Sequence, residues 1–565
     1  MRKLTIVVIV LVALVFPART PIIGAPAEPI QATKGMVVSA SAAASEVGAQ
    51  VMRDGGKAVD AAIATAFALA VIYPQAGNIG GGGFMIYRSA SVDPVAYDFR
   101  EAAPAGASPT MFLRDGRYDE DLHHRSYLSI GVPGTVAGLY LAWTEHGTLP
   151  WKRLVEPALE LARDGFPVSI GLAQSLRSVL DDMQRYPASV AQFSKNGEPY
   201  LPGEILKQPD LAGTLSRIAS QGPAGFYEGE TARLIAEDMH NRGGLIGPDD
   251  LRAYRAKTRP PIRATYRGYE VVSMPPPSSG GTVLVEMLNI LEGFDLRTSG
   301  FGSAQSIHVI TETMRRAYAD RAQHLGDADF DPNMPLVRLT SKAYAAGVRE
   351  TIDFERASVS TPTTFAWPPE SSETTHLSVV DEERNAVALT YTLESLYGSK
   401  SVVPGAGFLL NNEMGDFNPG PDLTNDHGLI GTSPNLAAPG KRMLSSMTPT
   451  IVTRDGRLTM VTGTPGSRSI INTVLLTILN VVDFGMNAQE AVDAGRFHHQ
   501  WLPDQISYER FAFSPDTLAL LSAKGHTLRE GNSQGAAQVI VVGQRGDLLE
   551  GGVDRRRAGG GAGIQ

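Results

Sequence analysis

Three groups of residues have the types and spacing to do chemistry, and the first is a pair of hydroxyls. The segment from Thr374 to Glu394 reads as a β-hairpin, because two β-prone runs flank the charged turn at Asp381–Asn385. Pairing Asp381 with Asn385 across a short loop sets Val379 against Val387, Leu377 against Leu389 and Thr375 against Tyr391, so one face is apolar. The other face carries Thr374 opposite Thr392 and His376 opposite Thr390, with Glu394 one step further on. A loop longer by one residue would set Leu377 against Thr390 and spoil the apolar face. A hydroxyl at a strand start, facing a second hydroxyl and a carboxylate, suits a nucleophile. The second group is Gly463-Thr464-Pro465-Gly466-Ser467, which follows a strand and opens a helix; backbone N–H groups at such a place, here those of Gly466 and Ser467, are natural oxyanion donors. The third is the acid pair Glu413 and Asp416, three residues apart, which by itself could be a solvated loop.

The Thr374-Thr375-His376 segment does not stand alone. The Gly-rich run Gly77–Phe84, Ser129–Leu139, Lys441–Thr450 and Arg496–Trp501 accompany it, and with these the sequence resembles the γ-glutamyltranspeptidases (glutathione hydrolases) over nearly all of the mature chain. Those proteins are N-terminal-nucleophile hydrolases whose precursor cuts itself before a Thr-Thr-His segment. The resemblance implies cleavage between Glu373 and Thr374, after which the new α-amine serves as base for the Thr374 hydroxyl. A threonine hydroxyl is a poor nucleophile at neutral pH, and an amine of pKa near 8 is a suitable proton acceptor. It also implies that Arg100 binds a substrate α-carboxylate together with Ser445 and Ser446, since a guanidinium fork matches a carboxylate. Glu413 and Asp416 would hold the α-ammonium, and Thr392 would hydrogen-bond the Thr374 amine or hydroxyl. This chain has Glu394 where well-studied members commonly have Asn, and Ser467 where they usually have a second glycine. His427 falls where some place an aromatic gate, within a Pro/Gly-rich loop, 418–440.

The implied fold is α+β, an αββα sandwich of two mostly antiparallel sheets between helical layers; the residues by themselves support mixed α and β. The implied parts are a leader, 1–27, a large subunit, 28–373, and a small subunit, 374–565, which remain together as a heterodimer. The expected reaction is attack by Thr374 on a γ-glutamyl amide such as glutathione, giving an ester released to water or an acceptor amine. One alternative on the same fold is an amidase for poly-γ-glutamate or a glutaryl-type (cephalosporin) side chain. Another is an unprocessed secreted binding protein without catalysis.

The elements that must position these residues are legible in part. Ala58 to Ile72 is a largely apolar, buried helix, and further helices are expected over Glu156–Asp164, Ile170–Arg185, Glu230–Asn241, Thr282–Glu292, Ala304–Leu325 and Ile470–Asp483. The glycines before Phe84 precede a strand and lack a P-loop lysine, so close backbone packing explains them better than phosphate binding. Asp327, Asp329, Asp331 and Asn333 imitate the start of a calcium loop, but Pro332 replaces its glycine and Arg338 its final glutamate, so no metal or other cofactor is expected. Gly531-Asn532-Ser533-Gln534-Gly535 spells a nucleophile elbow, yet the strand-like run Gln538–Val542 follows where a helix is required.

With 565 residues, 43% hydrophobic and 19% charged, the chain can bury a large core. Arg2 and Lys3 precede the apolar run Leu4–Phe16, and Ala25-Pro26-Ala27 offers a cleavage site, which predicts export to a bacterial periplasm or exterior. Loss of that leader, which carries Arg2, Lys3 and Arg19 but no acid, takes the net charge from −9 to −12. Such a balance argues against nucleic-acid partners and anionic membranes. The chain contains no cysteine, which excludes disulfides, thiolate metal sites and a Cys nucleophile. The basic run Arg555-Arg556-Arg557 is expected to be a solvated turn.

Overall fold

The computed structural model describes residues 27–90, 92–360, 373–421, 433–543, 547–557 and 559–565. All but the last residue of the expected leader, the stretch 361–372, and the loop segment 422–432 with His427 lie outside the described residues.

Two seven-stranded sheets form the centre, each antiparallel throughout. The first runs, in spatial order, through Lys257–Arg259, Val95–Phe99, Gly82–Arg88, Ala386–Thr392, Thr375–Val380, Gly35–Ser39 and Gly560–Ile564. The hairpin supplies its two central strands, and the register is the one its side chains require: Thr375 faces Tyr391, Leu377 faces Leu389 and Val379 faces Val387. The Asp381 carboxylate closes the loop by accepting from the backbone N–H of Asn385 at 2.9 Å and of Ala58 at 3.0 Å. The second sheet runs through Ile30–Ala32, Leu549–Val553, Gln538–Val542, Arg457–Gly463, Thr450–Arg454, Tyr269–Ser273 and Ile262–Tyr266. Each sheet therefore mixes strands from before and after Thr374, and neither part of the chain could complete a sheet alone.

Three buried clusters define the layers. The helix Ala58–Ile72, buried along its whole length, covers Leu377, Val379, Val387, Leu389 and Tyr391 on the outer face of the hairpin sheet. Val380, Ala386 and Ala388 meet Val272, Ile451, Val461 and Ile540 between the sheets. The helices Gly280–Leu291, Ala304–His324 and Ser469–Val482 cover the outer face of the second sheet through Met287, Met314 and Leu475. This is the αββα sandwich.

The second face of the hairpin, polar by sequence, is as buried as the first. Its polar groups satisfy one another: the His376 ring meets Thr390 Oγ1 at 2.7 Å and Ser378 Oγ at 3.1 Å, and Ser378 donates onward to the Gln538 carbonyl at 3.0 Å. A Cβ on Gly463 would lie 2.3 Å from the His376 ring, so glycine is what lets the second sheet approach. Burial pushes the imidazole down to about 3, and it remains neutral inside the sandwich.

The basic run near the C-terminus corrects its expectation. It is a turn, but only Arg555 is solvated. Arg556 bonds Glu509 and Asp554 together with the carbonyls of Val492 and Ala494, and Arg557 pairs with Glu373. Arginines at a turn that crosses from one sheet to the other are drawn inward by the buried acids they neutralise.

Candidate active site

Thr374 stands immediately before its strand, buried, with Glu373 still joined to it. The Thr374 hydroxyl donates to Thr392 Oγ1 at 3.3 Å, and the Thr392 hydroxyl donates to the Glu373 carbonyl oxygen at 2.8 Å. Thr392 Oγ1 also accepts from the Glu394 backbone N–H at 2.9 Å. One hydroxyl therefore touches both the Thr374 hydroxyl and the carbonyl of the residue before it. The strand end that carries Thr392 is held from behind. Asn78 donates to the Thr392 carbonyl at 2.8 Å, and a Cβ on Gly81 would come within 2.1 Å of that same oxygen. The Gly-rich run thus serves close backbone packing, as its placement before a strand suggests.

The turn between the strand Arg457–Gly463 and the helix Ser469–Val482 takes two left-handed residues, Gly466 at φ 135° and Ser467 at φ 53°. Serine enters that region at a cost of roughly 1 kcal/mol or more, which the turn must offset. Ser469 helps, its hydroxyl donating to the Gly466 carbonyl at 2.6 Å.

Thr374 and Ser467 share a cavity of about 290 Å³. Of the residues singled out by sequence, Arg100, Thr392, Glu394, Glu413, Asp416, Ser445 and Ser446 line it as well, whereas Gly466 lies one residue behind the wall. Ser445 is propped by Ser279, whose N–H and hydroxyl both donate to its carbonyl, at 2.8 and 2.7 Å. Ser446 Oγ accepts from Arg321 at 2.9 Å, and Arg321 also donates to Ser279 Oγ at 2.9 Å.

Arg100 is fully buried. Its guanidinium donates to Glu413, to Asp416 and, at 3.3 Å, to the Met443 carbonyl, and Glu101 lies 3.7 Å away. A single-turn 3₁₀ helix, Glu413–Asp416, aims both acids at the one arginine. Three carboxyl groups around one guanidinium outnumber the cation, so ionising all of them at once is unfavourable. Both carboxyl oxygens of Glu101 and one of Glu413 are buried without a hydrogen-bond partner. Burial raises the Glu413 carboxyl against the pull of Arg100, with the neighbouring acids adding to the rise. Orphaned oxygens on acids whose ionisation is opposed mark a polar cluster that the fold leaves incompletely satisfied.

Sequence reasoning missed His124, Arg321 and Arg468, which also line the cavity. His124 Nδ1 lies 3.5 Å from a Glu394 carboxylate oxygen. Burial lowers its pKa, but the bond to Glu394 and nearby acids outweigh this and raise it. None of the three has a local signal: each is an ordinary residue on a helix or turn, brought in by tertiary packing.

The chain matches known proteins along almost its whole length. The family model described as gamma-glutamyltranspeptidase fits residues 44–564. The glutathione hydrolase proenzyme of Escherichia coli (strain K12) is 49% identical over 525 residues, covering 92% of this chain and 90% of that protein. An acylase ACY 1 proenzyme of Pseudomonas sp. (strain SE83) is 36% identical over 529 residues, covering 92% of each. Among solved structures, a cephalosporin acylase from Bacillus halodurans superposes with a TM-score of 0.84 at 26% identity, over 98% of this chain and 99% of that one. A buried threonine pair on the central hairpin of an αββα sandwich, and a match spanning both halves of the chain, lead to one conclusion: the chain belongs to the gamma-glutamyltranspeptidase family.

Proposed function

We propose that this protein is a self-cleaving γ-glutamyl hydrolase and transferase, acting on glutathione and related γ-glutamyl amides through Thr374. The observation that carries this reading is the contact chain from Thr374 Oγ1 to Thr392 Oγ1 to the Glu373 carbonyl, at the wall of a cavity that Arg100, Glu394, Glu413 and Asp416 also line. In the first step the Thr374 hydroxyl adds to the Glu373 carbonyl carbon, and Thr392 donates to the oxyanion that forms. The C–N bond breaks, the proton passes to the departing nitrogen, and an ester joins Glu373 to Thr374 Oγ1. Water hydrolyses that ester and leaves a large part, 28–373, a small part, 374–565, and a free α-amine on Thr374. Because both sheets draw strands from either side of the cut, the two parts stay together as a heterodimer.

The amine then removes the Thr374 hydroxyl proton as the oxygen attacks a γ-glutamyl amide, and the backbone of Gly466 and Ser467 stabilises the oxyanion. The resulting ester passes to water or an acceptor amine. Arg100, Ser445 and Ser446 take the substrate α-carboxylate, while Asp416, Glu413 and Glu394 take the α-ammonium. The surplus of acids around Arg100 favours this over a glutaryl-type substrate, which has no ammonium to neutralise them. Among the described residues no helix is long and apolar enough to cross a membrane. The leader at 1–27 supports export to the periplasm or beyond.

Thr374→Ala tests the core of this reading on a denaturing gel. It should give a single intact band without activity, where the unaltered chain gives two fragments. Two fragments from Thr374→Ala would remove Thr374 as nucleophile.

A further inference from the structure

A second contact to Glu373 has no part in the chemistry just described. Its side chain forms a two-pronged ion pair with Arg557, Nη1 to Oε2 at 2.7 Å and Nη2 to Oε1 at 3.1 Å. Both side chains are largely buried, 15% and 22% exposed. The buried Tyr73 phenol, at the end of the helix Ala58–Ile72, lies beside the Arg557 guanidinium. Neither Arg557 nor Tyr73 lines the catalytic cavity.

The turn that presents Arg557 is held firmly. It links Leu549–Val553 in one sheet to Gly560–Ile564 in the other. Next to it, Arg556 bonds Glu509 at 2.6 and 2.5 Å and the Ala494 carbonyl at 2.8 Å, and its N–H donates to Asp554 at 3.0 Å. A guanidinium fork on a fixed turn sets the position of the carboxylate it grips.

We infer that Arg557, supported by Tyr73, is a positioning residue for self-cleavage, gripping the Glu373 side chain so that its carbonyl is held between the Thr392 hydroxyl and the Thr374 nucleophile. Glu373 is then held at two points, carboxylate and carbonyl, one on each side of the atom attacked. Restricting a reacting carbonyl in this way is worth large factors in rate, because a modest misplacement removes it from attack geometry. The role ends when the bond is cut, since Arg557 touches the departing side of that bond and not the cavity. The inference rests on the reading of Thr374 as the self-cleaving nucleophile.

The test follows freshly translated full-length chain on denaturing gels and measures the half-time of conversion to two fragments. Arg557→Ala and Glu373→Ala should each slow conversion by about tenfold or more, the size expected for losing a charged, two-pronged contact. The double variant should be no slower than either single, because both remove the same contact. Arg557→Lys should recover part of the rate, and Arg557→Ala, once cleaved, should keep its kcat/KM for a γ-glutamyl anilide. Additive slowing in the double variant would make Arg557 a general support of the fold and overturn the inference. So would conversion of either single variant at the normal rate. Glu373→Ala keeps the test alive should Arg557→Ala fail to fold. Thr374→Ala, run alongside, separates the two failures: if it is still cut, the nucleophile assignment falls, and if it stays intact while Arg557→Ala matures normally, only the grip falls.

Discussion

Two buried arginine clusters in this molecule look alike in composition and differ in balance. Near the C-terminal turn, Arg496 and Arg556 meet Asp554 and Glu509, two cations on two acids. Every side-chain nitrogen and oxygen of those four residues that is buried has a partner, and Arg496 adds the carbonyls of Gln534 at 2.6 Å and Val492 at 3.0 Å. At the cavity, Arg100 stands alone against Glu101, Glu413 and Asp416, and three carboxyl oxygens there are orphaned. A balanced, saturated cluster is a fixture of the fold. An unbalanced one must hold part of its acids protonated or leave buried oxygens without partners.

This contrast breaks most easily at the balanced end. Asp554→Ala would strand Arg496 in the core, and removing one partner of a buried pair costs ~3–5 kcal/mol. The thermal midpoint measured in a Thr374→Ala background should fall steeply, whereas Asp416→Ala in the same background should hardly lower it. Equal losses would erase the distinction between fixture and site.

The pH dependence of stability should differ next. Burial raises the Glu101 carboxyl to about 7 from an ordinary 4.5, with Arg100 pulling the other way. The folded chain therefore keeps a proton that the unfolded chain releases, so the protein loses stability as pH rises through that window. The loss runs at no more than about 1.4 kcal/mol per pH unit and totals roughly 3 kcal/mol or slightly more. Glu101→Gln should match the unaltered protein below that window and be the more stable one above it. Parallel melting curves from acid to neutral pH would show that Glu101 does not hold this proton.

Smaller in free energy, but sharper about function, is the response of Arg100. Arg100→Ala should lower kcat/KM for a γ-glutamyl anilide by at least about tenfold, ~1.4 kcal/mol. The loss should shrink for a glutaryl anilide, which bears no α-substituents. The two substrates and two proteins close a thermodynamic cycle, and equal losses on both would mean that Arg100 only supports the fold.

The least disruptive change is at the rim. Glu394→Asn should retain self-cleavage while shifting KM or acceptor preference roughly two- to fivefold, under ~1 kcal/mol. If every kinetic constant stays put, Glu394 does not touch the substrate, and its role is the contact with His124.

Local pattern was enough to place the hairpin and its register. Only one pairing of Thr374–Glu394 puts Leu377, Val379, Val387, Leu389 and Tyr391 on one face, and a one-residue slip would send them all to the other. The helix Ala58–Ile72 was equally legible, as a largely apolar run, broken only by Asp60 and Thr65 and bounded by Gly55-Gly56 and Pro74. Arg100, Glu413, Asp416, Ser445 and Ser446 came from the family resemblance of their motifs and all line the cavity, whereas Gly466 and Glu373 do not.

Tertiary structure decided which of those groups face one another across hundreds of residues. Nothing local distinguishes the polar face of the hairpin as internal; it becomes so because a second sheet lies over it, with Gly463 leaving room for His376. Nothing local tells that Arg556 and Arg557 are drawn inward while Arg555 stays in water, since that depends on acids at 373, 509 and 554. Backbone periodicity is a property of neighbours in sequence, so sequence determined the elements. Charge balance is a sum over neighbours in space, so only the fold could separate the arginines of the balanced cluster from Arg100, outnumbered by acids at the cavity wall.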